Sequence, residues 1–338
     1  MYPSSRKVVG RVLSLIAVTV LLSACGGGAA SPSVGGSASG SAASTPAGSA
    51  ASGAPVSVSS LPLDATHAQA LTVFGYDTSA PLNVKDVTAP KTKDGVTVRD
   101  ITYDSSDGTG VAAWLVAPSA TGSHAAVLFL HWLGASSSRD EFLDEATALA
   151  KRGVVSLLPT RLFPGVDNPT DWRTDRQSIV DQTTELRRGL DVLLAQPGVD
   201  PSRVAFVGHD YGAMDGAVLA AVDHRLKAVV LMTPDTTWSD WFFKYFTLLP
   251  STQTEYSQAM KNFDTVTFLP QIAPTPLYLQ FSGQDQFVSQ DVAQQITAAA
   301  GDPKKTTTYP NTAHDLQDDT TATTDREAWL GAQLSLPS

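Results

Sequence analysis

The chain has 338 residues, with 23 Lys and Arg against 33 Asp and Glu, a formal net charge of −10 and a hydrophobic fraction of 42%. That charge argues against nucleic acid as a partner, because neutralising phosphates needs clustered basic residues, while the apolar fraction suffices for one sizeable core. The single cysteine, Cys25, excludes an intrachain disulfide, a Cys-rich metal site and a cysteine nucleophile in the folded body.

Arg6, Lys7 and Arg11 make a basic start, and residues 12–22 are apolar but too few for an ordinary membrane span. Leu22-Ser23-Ala24-Cys25 then resembles a bacterial lipobox. The resemblance implies cleavage before Cys25 and a lipid on it, so residues 1–25 read as a lipoprotein signal peptide. The mature protein is then secreted and held on the outer face of a bacterial membrane through Cys25. An ordinary secretory signal with a chance cysteine is the plainer alternative. Residues 26–60 are Gly, Ser and Ala with scattered Pro and read as a disordered tether. Residues 61–94 are Pro-punctuated and read as an extended segment wrapping the body, so folding is expected to begin at Leu61.

Residues 95–338 read as one domain. Alternation over 96–103 and a strand at 111–117, joined by the turn chemistry of Ser105-Ser106-Asp107-Gly108, predict an antiparallel hairpin at a sheet edge. Continuous apolar runs at 125–130, 154–158, 204–207, 226–232 and 277–281 predict buried strands, with a last strand at 306–309. Between them, helical spacing predicts helices at 140–152, 177–195, 213–222, 291–300 and 326–334. Strands alternating with helices predict an α/β domain, a mostly parallel sheet covered on both faces with an antiparallel N-terminal edge.

One stretch concentrates the chemistry. The strand at 204–207 runs into Gly208-His209-Asp210-Tyr211-Gly212 and then into a helix. Strand, glycine-flanked turn and helix make a nucleophile elbow, where a strained turn lifts one side chain off the sheet. From about Gly95 onward the chain resembles the α/β-hydrolase fold, and most closely its dienelactone hydrolase-like group. The resemblance rests on 189–194, on Val199-Asp200-Pro201-Ser202-Arg203-Val204 and on the elbow. Gly283-Gln284-Asp285 resembles that fold's acid loop, and Asn311-Thr312-Ala313-His314 its histidine loop, in the expected order. The dienelactone group carries Cys or Ser where this chain has Asp210. Gly-His-Asp-aromatic-Gly resembles instead the elbow of haloalkane dehalogenases and epoxide hydrolases.

The resemblance implies a catalytic set of Asp210, His314 and Asp285, with Asp235 as a reserve acid. An aspartate is already ionised near neutral pH and needs no base to activate it. Attack on an ester carbonyl would give a reactive anhydride, whereas attack on an sp3 carbon or an epoxide gives an ordinary alkyl ester. Asp210 therefore favours alkyl transfer, with His314 activating the water that cleaves the ester and Asp285 orienting the imidazole. An oxyanion hole would map to the backbone of Tyr211 and of Trp132 or Leu133. His131, Trp238, Trp241 and Tyr245 are expected to line the substrate pocket, and Tyr245 or Tyr256 could serve as an epoxide acid.

The expected partner is a small, largely apolar substrate molecule, and no cofactor is expected. His67, His124 and His224 show no metal spacing, and no Gly-rich phosphate cradle is present. Two further readings stand beside this one. Asp210 still hydrolyses an activated ester by an unusual route, or it is the relic of a lost serine site in a catalytically silent body that acts as an extracellular binding module.

Overall fold

The computed structural model describes residues 56–132, 138–160, 171–245, 250–316 and 319–337. Within them the strands are β1 (Lys85–Asp86), β2 (Lys91–Lys93), β3 (Val96–Asp104), β4 (Gly110–Pro118), β5 (His124–Leu130), β6 (Val154–Pro159), β7 (Val199–His209), β8 (Ala228–Met232), β9 (Leu277–Ser282) and β10 (Lys304–Tyr309). The helices are α1 (His67–Ala70), α2 (Leu143–Ala150), α3 (Trp172–Leu194), α4 (Tyr211–Val222), α5 (Trp238–Tyr245), α6 (Pro250–Met260), α7 (Thr265–Phe268), α8 (Gln290–Ala299) and α9 (Thr320–Gln333).

All ten strands form one sheet in the order β1-β3-β4-β6-β5-β7-β8-β9-β10, with β2 also paired to β3. β1 to β4 are antiparallel to their neighbours, and β5 to β10 run parallel to one another. The parallel strands β5, β6, β8 and β9 are buried at every position, which is why each reads as an apolar run rather than an alternation. Two apolar layers cover the sheet. α3, α4 and α8 contribute Leu186, Leu190, Ala217, Val218 and Ile296 to one, and α2 and α9 contribute Ala146, Leu149 and Leu330 to the other.

The register brings the strand ends together. Leu130 of β5 pairs with Gly208 of β7, His209 with Met232 of β8, and Ser282 of β9 with Tyr309 of β10. The loops after β5, β7, β9 and β10 therefore leave the same edge, the carboxyl end where open α/β sheets carry their sites.

The N-terminal segment differs from the expectation of a simple extended wrap. It contains α1, β1 and β2, and its apolar residues Leu61, Ala65, Ala70, Val73 and Phe74 are buried. Three arginines of α3 hold it down. Arg176 donates to the carbonyls of Pro62 and Leu63 at 2.9 and 2.7 Å, Arg187 to that of Phe74 at 2.6 Å, and Arg188 to those of Ala80 and Pro81 at 3.0 and 2.8 Å. Folding also begins before Leu61, since Val58 is buried within a short 3-10 turn, Val58–Ser60. A chain starting at Leu61 loses that valine, worth about 1.5–3 kcal/mol of apolar burial. It should melt roughly 3–10 °C below a chain starting at Val56. Coincident melting curves would show that Val58 contributes nothing.

The apolar spacing predicts no helix in the segment between β8 and β9. It folds into α5, α6 and α7, outside the sheet and above the elbow. β1 and β2 were also not expected, and α3 and α9 begin earlier than their apolar spacing suggests. The early starts have a local cause. Asp171 accepts from the Arg173 and Thr174 amides and Asp319 from those of Thr321 and Ala322, so each caps a polar first turn.

Candidate active site

Asp210 sits at the tip of the turn between β7 and α4 with φ 56° and ψ −117°. A side chain is held in this strained region only when its surroundings fix it, at a cost of order 1–3 kcal/mol. Here they do. The Asp210 amide donates to Met232 O at 2.9 Å, and the Asp210 carbonyl accepts from the Ala213 and Met214 amides that open α4. Glycine is needed on either side because the turn is so tight. A Cβ on Gly212 would lie 2.3 Å from Leu130 O, and one on Gly208 would lie 2.3 Å from Gly212 O. Asp210 also stands at the N-terminal end of α4.

His314 comes from the loop after β10 and Asp285 from the loop after β9. His314 Nδ1 donates to Asp285 Oδ2 at 2.8 Å and lies 3.0 Å from Oδ1. The Phe287 and Val288 amides also donate to Asp285 Oδ1, at 2.8 and 2.9 Å, fixing the carboxylate before it meets the histidine. With Nδ1 so engaged, His314 Nε2 faces Asp210 Oδ1 at 3.6 Å. That is a charge contact rather than a hydrogen bond, and contacts of this kind tighten when substrate arrives. The three residues picked out in the sequence thus meet in space. Asp235 accepts from the amide and hydroxyl of its own neighbour Thr236, while His314 Nδ1 is engaged by Asp285.

The electrostatics follow. Burial pulls the His314 pKa down, but the contacts with Asp210 and Asp285 outweigh it and push it up to about 9. The imidazole is then charged at neutral pH between two carboxylates. A folded-state pKa raised from 6.5 to about 9 gives stability that is complete below 6.5 and lost as pH rises through 9. Melting temperature should therefore fall across that interval, and the fall should be smaller in His314→Gln. An equal slope in the two proteins would show that His314 is not paired in this way. Asp235 is pushed up to about 6 by burial, against the hydrogen bonds from Thr236.

Of the two alternatives for the oxyanion donor expected from the loop after β5, Trp132 or Leu133, Trp132 is engaged elsewhere. Its amide donates to Glu141 Oε2 at 2.8 Å and is not offered to a substrate oxygen. Tyr211 opens α4, with its amide at the helix's positive end. Leu133, Cys25 and the Tyr245 side chain lie outside what the structure describes.

The expected pocket residues divide. Trp241 packs edge-on against Tyr211 at 5.5 Å between ring centroids and lies 6.0 Å from Phe287, whose ring is 4.9 Å from that of His314. Tyr211, Trp241 and Phe287 make an aromatic wall beside the histidine. Trp238 is fully buried against Tyr211 and Phe242, and its Nε1 donates to Phe263 O, so it backs the wall rather than facing a substrate. His131 is buried, with Nδ1 donating to Trp132 O at 2.7 Å. Tyr256 is not aimed at Asp210. Its hydroxyl donates to Asp175 Oδ2 of α3 at 2.6 Å, and burial raises its pKa far above the ordinary tyrosine value, which removes it as an epoxide acid.

Sequence reasoning missed three residues here. Phe287 lies two positions after Asp285 on the same loop, and that proximity was the available signal. His209 was visible inside the elbow but had no role until its partner, Glu141, was located across the site. Among the described residues, no group of three or more His, Cys, Asp or Glu is arranged to hold a metal ion.

Comparison with known proteins places this geometry in a family. Residues 111–332 match the model of the dienelactone hydrolase family. An uncharacterized protein of Mycobacterium tuberculosis is 26% identical over 217 residues, 64% of this chain and 72% of its own length. A polyketide transferase of Stachybotrys chlorohalonatus is 30% identical over 147 residues, 42% of this chain and 46% of that one. Among solved structures, an acetyl xylan esterase from Paenibacillus aligns with a TM-score of 0.60 at 17% identity, covering 76% of this chain and 90% of that one. A cold-adapted esterase from an Arctic intertidal metagenomic library aligns with a TM-score of 0.56 at 18% identity, covering 74% and 99%. These structures share the fold over about three quarters of this chain. The chain belongs to the dienelactone hydrolase family of the α/β-hydrolase superfamily and is a hydrolase.

Proposed function

We propose that this hydrolase uses Asp210 as its nucleophile and acts on a small, largely apolar molecule through a covalent alkyl-enzyme ester. The observation that carries this reading is the carboxylate at the strained elbow position, facing the Nε2 of a histidine whose Nδ1 is held by Asp285. One oxygen of Asp210 attacks an sp3 carbon, and the leaving group departs with its electron pair. Water then attacks the carboxyl carbon of the ester, its proton passing to His314. The tetrahedral species collapses to release the product alcohol, which takes the proton from His314 and carries away an Asp210 oxygen. The aromatic wall of Tyr211, Trp241 and Phe287 suits an apolar body.

The test is a screen of epoxides, haloalkanes and activated esters, followed by one turnover in heavy-oxygen water. The label should appear on Asp210 and not in the product alcohol. Product labelled on the first turnover would mean that water attacks the substrate directly.

A second reading is favoured by the family and by structural relatives described as esterases. On it, Asp210 and His314 act on an activated ester. Turnover of esters alone, with no adduct on Asp210, would select it.

The lipobox-like Leu22-Ser23-Ala24-Cys25, with the chain's only cysteine, further supports a secreted protein anchored through lipid at Cys25. Cys25→Ala should abolish lipid labelling and membrane retention, and unchanged fractionation would refute the anchor.

A further inference from the structure

Glu141 lies just before α2, and both of its oxygens are used. Oε1 is 2.6 Å from His209 Nδ1, and Oε2 accepts from the Trp132 amide at 2.8 Å. On its other side, His209 Nε2 lies 3.2 Å from the carbonyl oxygen of His314. Both side chains are buried, His209 fully and Glu141 to within 6%. The rings follow one another, Trp132 stacked on His209 at 6.2 Å and His209 tilted against His314 at 5.2 Å between ring centroids.

We infer that the buried Glu141–His209 pair is the positioning device of the site, locking the catalytic base His314 in register with Asp210. The inference rests on the Asp210–His314 reading above. Its argument is where the bonds end. One reaches the loop after β5, one stems from the residue that precedes Asp210, and one closes on the base's own main chain. A pair serving only to fill space could be apolar, and burying charged or polar groups is expensive unless every bond is made. Here each bond fastens a different loop of the site.

Proton accounting sharpens the assignment. The His314 carbonyl only accepts, so His209 Nε2 must carry hydrogen. The Glu141 carboxylate also only accepts, so either His209 Nδ1 carries a second hydrogen or the carboxyl does. The pair therefore holds one shared proton. A glutamine at 141 can replace it without that proton, because its oxygen still accepts from Trp132 and its N–H donates to a neutral Nδ1. An alanine cannot. Positioning and charge are thereby separable.

The test compares Glu141→Gln with Glu141→Ala in the full-length chain, with two readouts. The first is the titration of His314, followed by NMR of the labelled imidazole, and it needs no substrate. In Glu141→Gln the midpoint should stay near 9, and in Glu141→Ala it should fall toward 6.5 as the imidazole drifts from Asp210. The second is the lifetime of the Asp210 ester. Misplacing a reacting group by about 1 Å costs on the order of 100-fold. Glu141→Ala should slow cleavage of the ester by about that factor while changing its formation by less than about threefold, so the adduct accumulates. Glu141→Gln should keep cleavage within about threefold of the parent. If Glu141→Ala does not fold, His209→Phe keeps the ring and removes both bonds, and it should behave as the alanine variant should.

The proposal is overturned if removing the pair lowers the melting temperature but leaves His314's titration and the ester lifetime unchanged. It is equally overturned if glutamine is as damaging as alanine. Should no electrophile react at all, the alkyl-transfer reading fails, and the titration alone still decides whether the pair positions His314.

Discussion

Replacing His314 with glutamine should leave the protein alkylated at Asp210 and unable to complete a turnover. The base is required only in the second half of the reaction. Its removal should slow ester cleavage by about 100- to 10,000-fold, the usual worth of a positioned base. Formation of the ester should continue, because Asp210 is a carboxylate and needs no deprotonation by a neighbour. Mass spectrometry of the peptide containing Asp210 should show the substrate's alkyl group added, and Asp210→Ala should show neither adduct nor turnover. Activity surviving in Asp210→Ala would remove Asp210 as the nucleophile.

The pH dependence of the two steps should differ, and the reason lies in the charges. In the free site, His314 is held up to about 9 by two carboxylates, Asp210 and Asp285, against its burial. A base protonated at pH 7 would be useless to a serine elbow, which needs a neutral imidazole from the outset. With Asp210 as nucleophile the order is reversed. Alkylation neutralises Asp210 and removes one of the two charges that raise His314, so its pKa falls once the ester exists. The covalent step itself delivers the base in working form. Ester cleavage should therefore show an apparent pKa below 9, while the free protein titrates near it. A single common value for both would break this link.

The parts of this site that were legible in the sequence are those tied to local patterns. Asp210 stands between glycines after an apolar run, and Asp285 and His314 each follow a strand on a short polar loop. Strands β5, β7, β8 and β9 were legible because burial on both faces leaves continuous apolar runs. β2, Lys-Thr-Lys, was not, since all three residues are exposed on an edge and carry no alternation. The Glu141–His209 pair was not legible either, because its partners are 68 residues apart and meet only through the register of β5 and β7. Trp238 was misplaced as a pocket wall for a related reason. An aromatic residue between two strands looks alike from sequence whether it faces a substrate or the core, and only packing against Tyr211 and Phe242 distinguishes them.

Breaking the pair between Arg326 of α9 and Glu145 of α2 should be among the most destabilising single changes in the body. Arg326 is fully buried, with Nε 3.0 Å from Glu145 Oε1, Nη2 2.5 Å from Oε2 and Nη1 2.9 Å from Gln280 Oε1 of β9. Arg326→Met leaves Glu145 as a buried charge without its partner, a loss of about 3–5 kcal/mol. In a body of this size that corresponds to a melting temperature lower by roughly 10 °C. Glu145→Leu alone should be similarly harmful, since it strands the guanidinium. The two together remove both charges and fill the space with apolar groups, so most of the loss should return. The remainder is the unsatisfied Gln280 oxygen, about 1–3 kcal/mol. Gln280 also donates through Nε2 to the Tyr309 hydroxyl at the end of β10. Losses in the single variants that simply add in the double variant would show that the two side chains do not depend on each other.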